Sequence, residues 1–256
     1  MLTAREKDRY ERQVLFAPIG ETGQERMRDA TVLIAGIGAL GTSAANMLAR
    51  AGVGHLRLVD HDVVELSNLQ RQSIYDEDDV EGARSKALVA AEKLLQANSD
   101  VKVEAIVAKV EAENVSELLQ GVDLVVDGVD NFAAKFAINQ ACVKHGIPFV
   151  YGAVSGSYGL TKIVRPGETA CLCCLYCDEP DADSSETAAT AGVIAPVVNT
   201  IASLQVAAAL KLLAGAEADT IDDLIQIDVW DGELNLIPVE RKPECAVCGL
   251  SATTSE

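Results

Sequence analysis

The sequence predicts an α/β fold: a doubly wound, mostly parallel sheet that continues into an antiparallel C-terminal part. Two observations lead to this prediction. Short apolar runs alternate with helical patterns over the first 155 residues, and a glycine-rich turn follows the first apolar run directly. Alternation of strands and helices implies crossover connections, and therefore parallel strands with helices on both faces of the sheet.

The elements follow from the apolar patterns in chain order. A charged helical segment over 10–30 comes first. Strands are predicted at 31–36, 55–60, 101–110, 123–127 and 148–154, and helices at 40–51, 84–97, 114–120 and 131–145. Beyond Tyr158 we expect a further strand, an irregular acidic stretch at 177–191, an apolar helix at 196–214 and two antiparallel strands within 224–240. Asp231-Gly232 is a favoured hairpin turn between those last strands.

Size and charge narrow the possible functions. The 256 residues are enough for one large domain or two small ones. We predict a single domain over 1–256, with a nucleotide-binding half (1–155) and a second half (156–250) that contains the cysteine clusters. A formal net charge of −18 disfavours nucleic acid as a partner. We predict no contact with a membrane and a cytoplasmic location, because the N-terminus lacks a signal-peptide pattern and we see no apolar run of roughly 18 residues.

The first strand leads into a phosphate-binding pattern. Gly36, Gly38 and Gly41 form G-x-G-x-x-G between that strand and the next helix. Glycines allow close backbone approach, and the helix N-terminus presents free N–H groups to an anion. Asp60 ends the second strand, where a carboxylate can accept hydrogen bonds from ribose. These features predict that a Rossmann-like site binds an adenine nucleotide. Without further evidence, they favour NAD as that nucleotide.

The residues after Asp60 favour ATP instead. Asp62, Asn68, Arg71 and Gln72 follow in the chain, and Lys86 lies on the next helix. Cleavage of a triphosphate requires charge compensation as pyrophosphate leaves, which a dehydrogenase does not need. Arg71 and Lys86 are candidates for this task, although either could be an ordinary surface cation.

A carboxylate at another strand end predicts a magnesium site. The motif DGVDN follows the strand at 123–127, and ligands bind at that edge of open α/β sheets. Asp130 could hold Mg²⁺ together with phosphate oxygens, or it could cap the helix that follows. Asp127 is better explained as a structural residue at the end of the strand.

The cysteines predict a zinc site. Six of the seven lie in two short clusters, which disfavours a disulfide framework. Two Cys-x-x-Cys pairs, Cys171/Cys174 and Cys245/Cys248, are typical of tetrahedral structural zinc. Cys174 and Cys177 form an alternative first pair. Cys142 is expected to be a small core residue.

These motifs together resemble the ThiF/MoeB/HesA family, the bacterial relatives of ubiquitin-activating enzymes. The resemblance runs from about Asp8 to Gly249 and rests on RYERQ, GIGALG, SNLQRQ, VDN, AGVIAP and the paired cysteines. RYERQVLFAPIGETGQ and YGAVSGSYGL look most like ThiF-type enzymes. The resemblance implies MgATP-dependent adenylylation of the C-terminal glycine of a ubiquitin-like sulfur-carrier protein ending in Gly-Gly, for thiamine or molybdopterin-type sulfur transfer.

The resemblance also implies residue roles. Asp60 would bind ribose, and Asp130 would coordinate Mg²⁺ and be needed for catalysis. Arg12 would act across a homodimer interface. The first zinc pair would be Cys171/Cys174, with Cys245/Cys248 as the second. ATP phosphates would be contacted by Asn68, Arg71 and Lys86.

One position departs from the family pattern. Many relatives carry a cysteine shortly before A-G-V, where this chain has Ala188. The enzyme is therefore expected to adenylylate without a covalent intermediate there, unless Cys173 or Cys177 substitutes. Two other functions stay open at this point: an NAD-dependent oxidoreductase and a non-catalytic zinc module that binds a carrier. The sequence does not specify the carrier or the sulfur donor.

Overall fold

The computed structural model describes residues 1–176 and 191–249. The strands are β1 (Thr31–Ala35), β2 (His55–Val59), β3 (Lys102–Ile106), β4 (Leu124–Asp127), β5 (Phe149–Ser155), β6 (Tyr158–Val164), β7 (Leu224–Asp228) and β8 (Glu233–Ile237). The helices are α1 (Ala4–Arg9), α2 (Glu11–Val14), α3 (Gly20–Asp29), α4 (Ala39–Ala51), α5 (Glu77–Glu81), α6 (Lys86–Ala97), α7 (Val115–Leu118), α8 (Phe132–His145), α9 (Leu172–Tyr176) and α10 (Ala195–Ala214).

All eight strands form one mixed sheet in the order β3-β2-β1-β4-β5-β6-β7-β8. The first five strands in this order pair in parallel, and β6, β7 and β8 pair antiparallel. The predicted doubly wound sheet with an antiparallel continuation is therefore confirmed. The order reverses at β1, beside which β2 and β4 end, and this is where open α/β sheets bind ligands.

The two faces of the sheet support two cores. Val32 and Ile34 of β1 pack with α4, α6 and α10 on one face. Leu33 and Ala35 point to the other face, where they pack with α7, α8 and the cysteine-rich segment. This alternation follows from the two-residue period of a strand. Cys142 is fully buried in the second core, as predicted.

The N-terminal segment and β3 differ from the prediction. The segment 10–30 is not one helix, because α2 and α3 are separated by turns. Tyr10 is buried and its ring lies against Gly52, whose positive φ of 83° no bulky residue adopts easily. The tyrosine anchors the chain at the junction of α1 and α2. The third strand covers only Lys102–Ile106 of the predicted 101–110, and its pairing with β2 ends at Ile106.

Helix α10 is long and apolar enough to cross a membrane by length and composition. Its Val197, Ile201 and Ala209 are fully buried within the protein's own cores. Ser43 of α4 also donates a hydrogen bond to Asn199 of this helix, with the oxygens 2.8 Å apart. Packing against the sheet and α4 therefore accounts for its apolar sequence.

Candidate nucleotide site and metal centre

The glycine-rich loop connects β1 to α4 as the sequence predicts. Gly36 has a positive φ of 83°, and a Cβ at this residue would lie 2.6 Å from the carbonyl oxygen of Gly128. Gly41 is packed more tightly, because its Cβ would lie 1.9 Å from the carbonyl oxygen of Gly36. Gly38 differs from both: a Cβ there would meet Gln72 at 3.8 Å, an ordinary contact. Gly36 and Gly41 therefore serve the fold, whereas Gly38 leaves open space beside the helix N-terminus.

Asp60 holds this loop in place. One carboxylate oxygen accepts a hydrogen bond from the Ile37 N–H at 2.7 Å, and the other accepts from the Asp62 N–H at 2.8 Å. Burial raises the pKa of Asp60 above its ordinary value, although these hydrogen bonds and the charge of Lys86 oppose the shift. Each carboxylate oxygen has a second lone pair, so Asp60 can still accept a hydrogen bond from a ligand hydroxyl.

The loop opens into a cleft of about 670 Å³ at the ends of the strands. The cleft brings together eight of the predicted nucleotide and magnesium residues from four separate stretches of the chain. These lining residues are Gly36, Gly38, Asp60, Asp62, Asn68, Arg71, Lys86 and Asp130. Gly41 lies behind the loop and is not part of the lining.

The two predicted phosphate-binding cations have different surroundings. Lys86 is 8% exposed and its Nζ lies 2.9 Å from the Asp62 carboxylate. Burial raises the pKa of Asp62, but the hydrogen bond and charge of Lys86 outweigh it, so the net pKa is lowered. Arg71 donates to the Ser67 carbonyl oxygen at 2.9 Å, and no carboxylate among the described residues pairs with it. Its guanidinium keeps free N–H donors for a ligand.

Asp130 lines the cleft two residues beyond Gly128. The alternative reading of Asp130 as a helix cap is wrong, because Asn131 caps α8 by accepting the Ala134 N–H at 2.9 Å. Within 1–176 and 191–249, no side chain forms a hydrogen bond or ion pair with the Asp130 carboxylate. A carboxylate with both oxygens open to the cleft suits Mg²⁺, which prefers oxygen ligands.

A buried ion pair supports the turn that carries Asp130. Asp127 is completely buried, and its carboxylate accepts hydrogen bonds from Lys135 Nζ at 2.7 Å and from the Val129 N–H at 3.1 Å. Lys135 also donates to the Gly152 carbonyl oxygen at 2.7 Å. Burial holds the pKa of Asp127 above its ordinary value against the opposing charge of Lys135. Asp127 is thus structural, as predicted, while its partner Lys135 was missed.

Several lining residues could not be found from sequence spacing. Gln72 is 3% exposed, lines the cleft, and its Oε1 has no hydrogen-bond partner in the part of the chain described. Lys135, Tyr151 and Tyr176 also line the cleft. The only sequence signal for Gln72 was its place in the string that contains Arg71. No local sequence pattern identifies Tyr151 or Tyr176 as lining residues, because the two side chains meet only in the folded chain.

The four predicted zinc ligands come together in the structure. Cys171, Cys174, Cys245 and Cys248 are buried, and their sulfur atoms all lie within 4.8 Å of one another. The Cys171–Cys245 and Cys174–Cys248 sulfur pairs are 3.7 and 3.4 Å apart. Zinc–thiolate bonds of about 2.3 Å require tetrahedral sulfur–sulfur separations of about 3.8 Å. The cluster therefore fits a tetrahedral zinc ion.

Two predicted residues, Arg12 and Cys173, remain apart from these sites. The side chain of Arg12 is 87% exposed, and within the described ranges its one ion pair is with Glu11, with nitrogen and oxygen 3.5 Å apart. Cys173 lies next to the cluster without joining it, and its sulfur contacts the Asn139 amide at 3.8 Å. Cys177, Ala188 and most of the acidic stretch at 177–191 lie outside the described residues.

The fold and the cleft define a doubly wound nucleotide-binding protein with a cysteine cluster. A model of the ThiF family matches residues 10–247, nearly the whole chain. The chain therefore belongs to the ThiF family. The resemblance drawn from the motifs is confirmed.

Curated relatives cover most of this chain. It is 47% identical over 243 residues to a sulfur carrier protein ThiS adenylyltransferase of Bacillus subtilis, with 94% of this chain and 71% of that protein aligned. It is 37% identical to the Escherichia coli protein of the same description, with 94% of both chains covered. A SAMP-activating enzyme E1 of Haloferax volcanii is 38% identical over 97% of this chain and 91% of its own.

Solved structures agree with the family assignment. A crystal structure of Escherichia coli MccB with succinimide superposes with a TM-score of 0.83 at 26% identity, covering 94% of this chain and 74% of that one. An MccB structure with ATP superposes with a TM-score of 0.77 at 27% identity, covering 90% and 69%. A solved structure that contains ATP thus has the same fold as this chain.

Proposed function

We propose that this protein uses MgATP to adenylylate the C-terminal glycine carboxylate of a ubiquitin-like sulfur-carrier protein. One observation carries the proposal: the cleft of a ThiF family member joins a glycine-rich loop, a strand-end acid, Arg71, Lys86 and a free Asp130. The 47% identical relative acts on ThiS, which favours a carrier of thiamine biosynthesis over other sulfur pathways.

The chemistry needs positioning and charge compensation more than a base. A C-terminal carboxyl has a pKa of about 3.5, so it is already an anion at neutral pH. A carboxylate oxygen attacks the α-phosphorus of ATP, the bond between the α-phosphorus and its bridging oxygen to the β-phosphate breaks, and pyrophosphate leaves. The scheme assigns no role to a histidine; His61, which lines the cleft, is exposed and lies 3.3 Å from Asp62.

The cleft residues take distinct roles in this scheme. Asp60 accepts hydrogen bonds from ribose, and the loop at Gly38 approaches the phosphates. Arg71 offers planar donors to the triphosphate, Asn68 donates its amide, and Lys86 exchanges its contact with Asp62 for phosphate oxygens. Mg²⁺ held by Asp130 would neutralise charge on the phosphate oxygens. Zinc held by the four clustered cysteines would be structural.

A homodimer completes the proposed site. Arg12 is not among the residues that line the cleft of its own chain, its side chain is 87% exposed, and its neighbours Leu15 and Phe16 are 68% and 60% exposed. Apolar residues exposed beside a cation are typical of a protein contact. We therefore propose that Arg12 enters the cleft of a second copy. Mixing inactive Arg12→Ala and Asp130→Ala variants should restore activity, because one site of each hybrid dimer keeps both residues; action of Arg12 within its own chain predicts no recovery.

The proposed function is tested by exchange of labelled pyrophosphate into ATP. Exchange should require a carrier ending in Gly-Gly, and mass spectrometry should find one AMP added to that carrier. Asp130→Ala should lower exchange by about a hundredfold or more, since it removes charge compensation in the transition state. Asp8→Ala, an exposed acid on α1, is the matched control.

The other outcomes separate the competing functions. Unchanged exchange in Asp130→Ala would contradict the role of that residue. Complex formation with the carrier but no AMP release would identify a binding module. Tight NADH binding with no response to ATP would favour an NAD-dependent oxidoreductase instead.

A further inference from the structure

The cleft extends beyond the residues assigned to the nucleotide. Its lining continues over β5 and β6 through Ala153, Ser155, Tyr158 and Leu160 and reaches Val193. Tyr151 and Tyr176 lie in this lining between the two regions, and no role assigned above uses them. Under the proposed function, the carrier tail must reach the α-phosphate through such an extension.

The two tyrosines form a rigid pair. Their hydroxyl oxygens lie 2.7 Å apart, a full hydrogen bond. Tyr151 is fully buried, and Lys135 Nζ lies 5.2 Å from its ring centroid. The ring of Tyr176 packs edge-on against Phe132, with centroids 5.4 Å apart. Both hydroxyls are therefore held in position by the packing of their rings.

The pair has one hydrogen more than it uses. Each phenol carries one O–H donor, so two hydroxyls supply two hydrogens. One of these hydrogens makes the bond between the tyrosines. Neither hydroxyl has a second partner among residues 1–176 and 191–249. One donor hydrogen in this cleft-lining pair, of which Tyr151 is buried and Tyr176 partly buried, is thus left for a ligand.

We propose that the Tyr151–Tyr176 pair donates this hydrogen to a carbonyl or carboxylate oxygen of the carrier's C-terminal tail. The proposal rests on the proposed function and adds two binding residues to it. Burial holds the pKa of Tyr151 well above its ordinary value, so this phenol stays protonated at neutral pH. Preorganised donors of this kind orient an acyl substrate without further cost in side-chain ordering.

Three variants test the proposal through a pattern that a purely structural pair does not give. Tyr151→Phe and Tyr176→Phe each leave one hydroxyl with its own hydrogen, so each should change the KM for carrier by less than about threefold. The double variant removes every donor and should raise that KM by about three- to tenfold, the effect of one neutral hydrogen bond. The KM for ATP, measured with saturating carrier, should stay within about twofold of wild type.

A purely structural role of the two tyrosines predicts a different pattern of KM values for the carrier. Either single substitution would already break the bond between the tyrosines, so the double variant would be no worse than the singles. Tyr10→Phe is the control for loss of a buried phenol, because the Tyr10 hydroxyl accepts a hydrogen bond from Asn98 at 2.9 Å away from the cleft. It should leave the KM for carrier unchanged.

The same assay separates failure of the tyrosine proposal from failure of the proposed function. A double variant with an unchanged carrier KM, or one whose KM equals that of the singles, overturns the tyrosine proposal while wild-type exchange still supports the enzyme. Wild-type protein that shows no carrier-dependent exchange overturns the proposed function itself. An equal rise in the KM values for ATP and carrier would also contradict the proposal, because it would indicate a general distortion of the cleft.

Discussion

The two halves of the sheet build their sites by different means. In the parallel half, the candidate nucleotide residues lie directly after strands or within a few residues of a turn, as in the loop from Gly36 to Gly41. In the antiparallel half, the cysteine cluster joins Cys171 to Cys245 across 74 positions of the chain. The tyrosine pair also joins residues from separate elements, β5 and α9.

This difference has a physical origin. Parallel strands end at one common edge, so a residue that ends a strand is placed in the cleft by the sheet itself. Antiparallel strands give no such shared edge, and the short α9 has too few residues to be stable alone. The second half therefore depends on cross-links between distant residues. Substitutions in each half should therefore show whether its site depends on strand ends or on contacts between distant residues.

Removal of zinc should have the largest effect, and it should fall on the second half. Chelation or Cys245→Ser should abolish binding of one zinc ion per chain, because three thiolates cannot complete the tetrahedral site. We expect Tm to fall by more than about 10 °C, because a structural zinc ion contributes more than about 5 kcal/mol to folding and each kcal/mol corresponds to about 2–4 °C in a chain of this size. Metal analysis and thermal unfolding measure both quantities. Cys142→Ser, which changes a buried cysteine outside the cluster, is the control and should keep the zinc ion. Loss of zinc from the Cys142→Ser variant would contradict the assignment of the four ligands.

Breaking the buried ion pair should have the next largest effect, at the junction of the halves. Lys135→Met leaves the Asp127 carboxylate buried without a cation and should lower the free energy of unfolding by about 3–5 kcal/mol. Denaturant unfolding measures this loss. Lys7→Met is the control, because Lys7 and Glu21 are each about half exposed, and it should cost far less.

The loss in Lys135→Met should also depend on pH. Without Lys135, the folded-state pKa of Asp127 rises further above its unfolded value. The folded protein then binds a proton that the unfolded chain releases, so stability falls as pH rises toward that folded-state pKa. The variant should therefore lose more stability at about pH 8 than at about pH 5. A loss that grows toward acid would contradict this assignment.

The glycine loop should show the smallest effect on stability and the clearest separation of roles. Gly41→Ala forces a methyl group into the Gly36 carbonyl and should cost about 1–3 kcal/mol. Gly38→Ala meets no close atom, so stability should hardly change, but the methyl group occupies space facing the phosphates. Its affinity for ATP, measured by calorimetry without carrier, should fall by about tenfold or more. A Gly38→Ala variant that binds ATP normally would show that the nucleotide lies elsewhere.

Much of the parallel half could be predicted from local patterns. The positions of β1, β2 and α4, the glycine turn and the acid at residue 60 follow from apolar period and spacing. The break between α2 and α3 could not be predicted in this way. Gln13 of α2 holds the two short helices together, because its side-chain amide donates to Gln24 Oε1 of α3 at 2.5 Å and to the distant Ala51 carbonyl oxygen at 2.8 Å. Local helical propensity carries no information about such a contact.

The residues of the candidate site also differ in whether local sequence patterns could identify them. Residue type and place in a motif were enough to single out Asp60, Arg71, Lys86 and Asp130, because their chemistry is tied to strand ends and a short string. Lys135 was missed because a lysine three residues into a helix resembles a solvated surface cation until Asp127 is seen beneath it. Gln72 stands in the same string as Arg71, but spacing alone did not show that its neutral amide is buried and lines the cleft.

The sequence by itself determined the fold class, the family, the glycine loop and the identity of the four clustered cysteines, since each depends on residue types at fixed spacing. Only the tertiary structure decided that Asp130 is free while Asn131 caps α8, and that the cysteine sulfurs meet at distances suited to zinc. It alone paired Asp127 with Lys135 and Tyr151 with Tyr176. Burial and hydrogen-bond partners are properties of atoms brought together by folding, and spacing along the chain does not contain them.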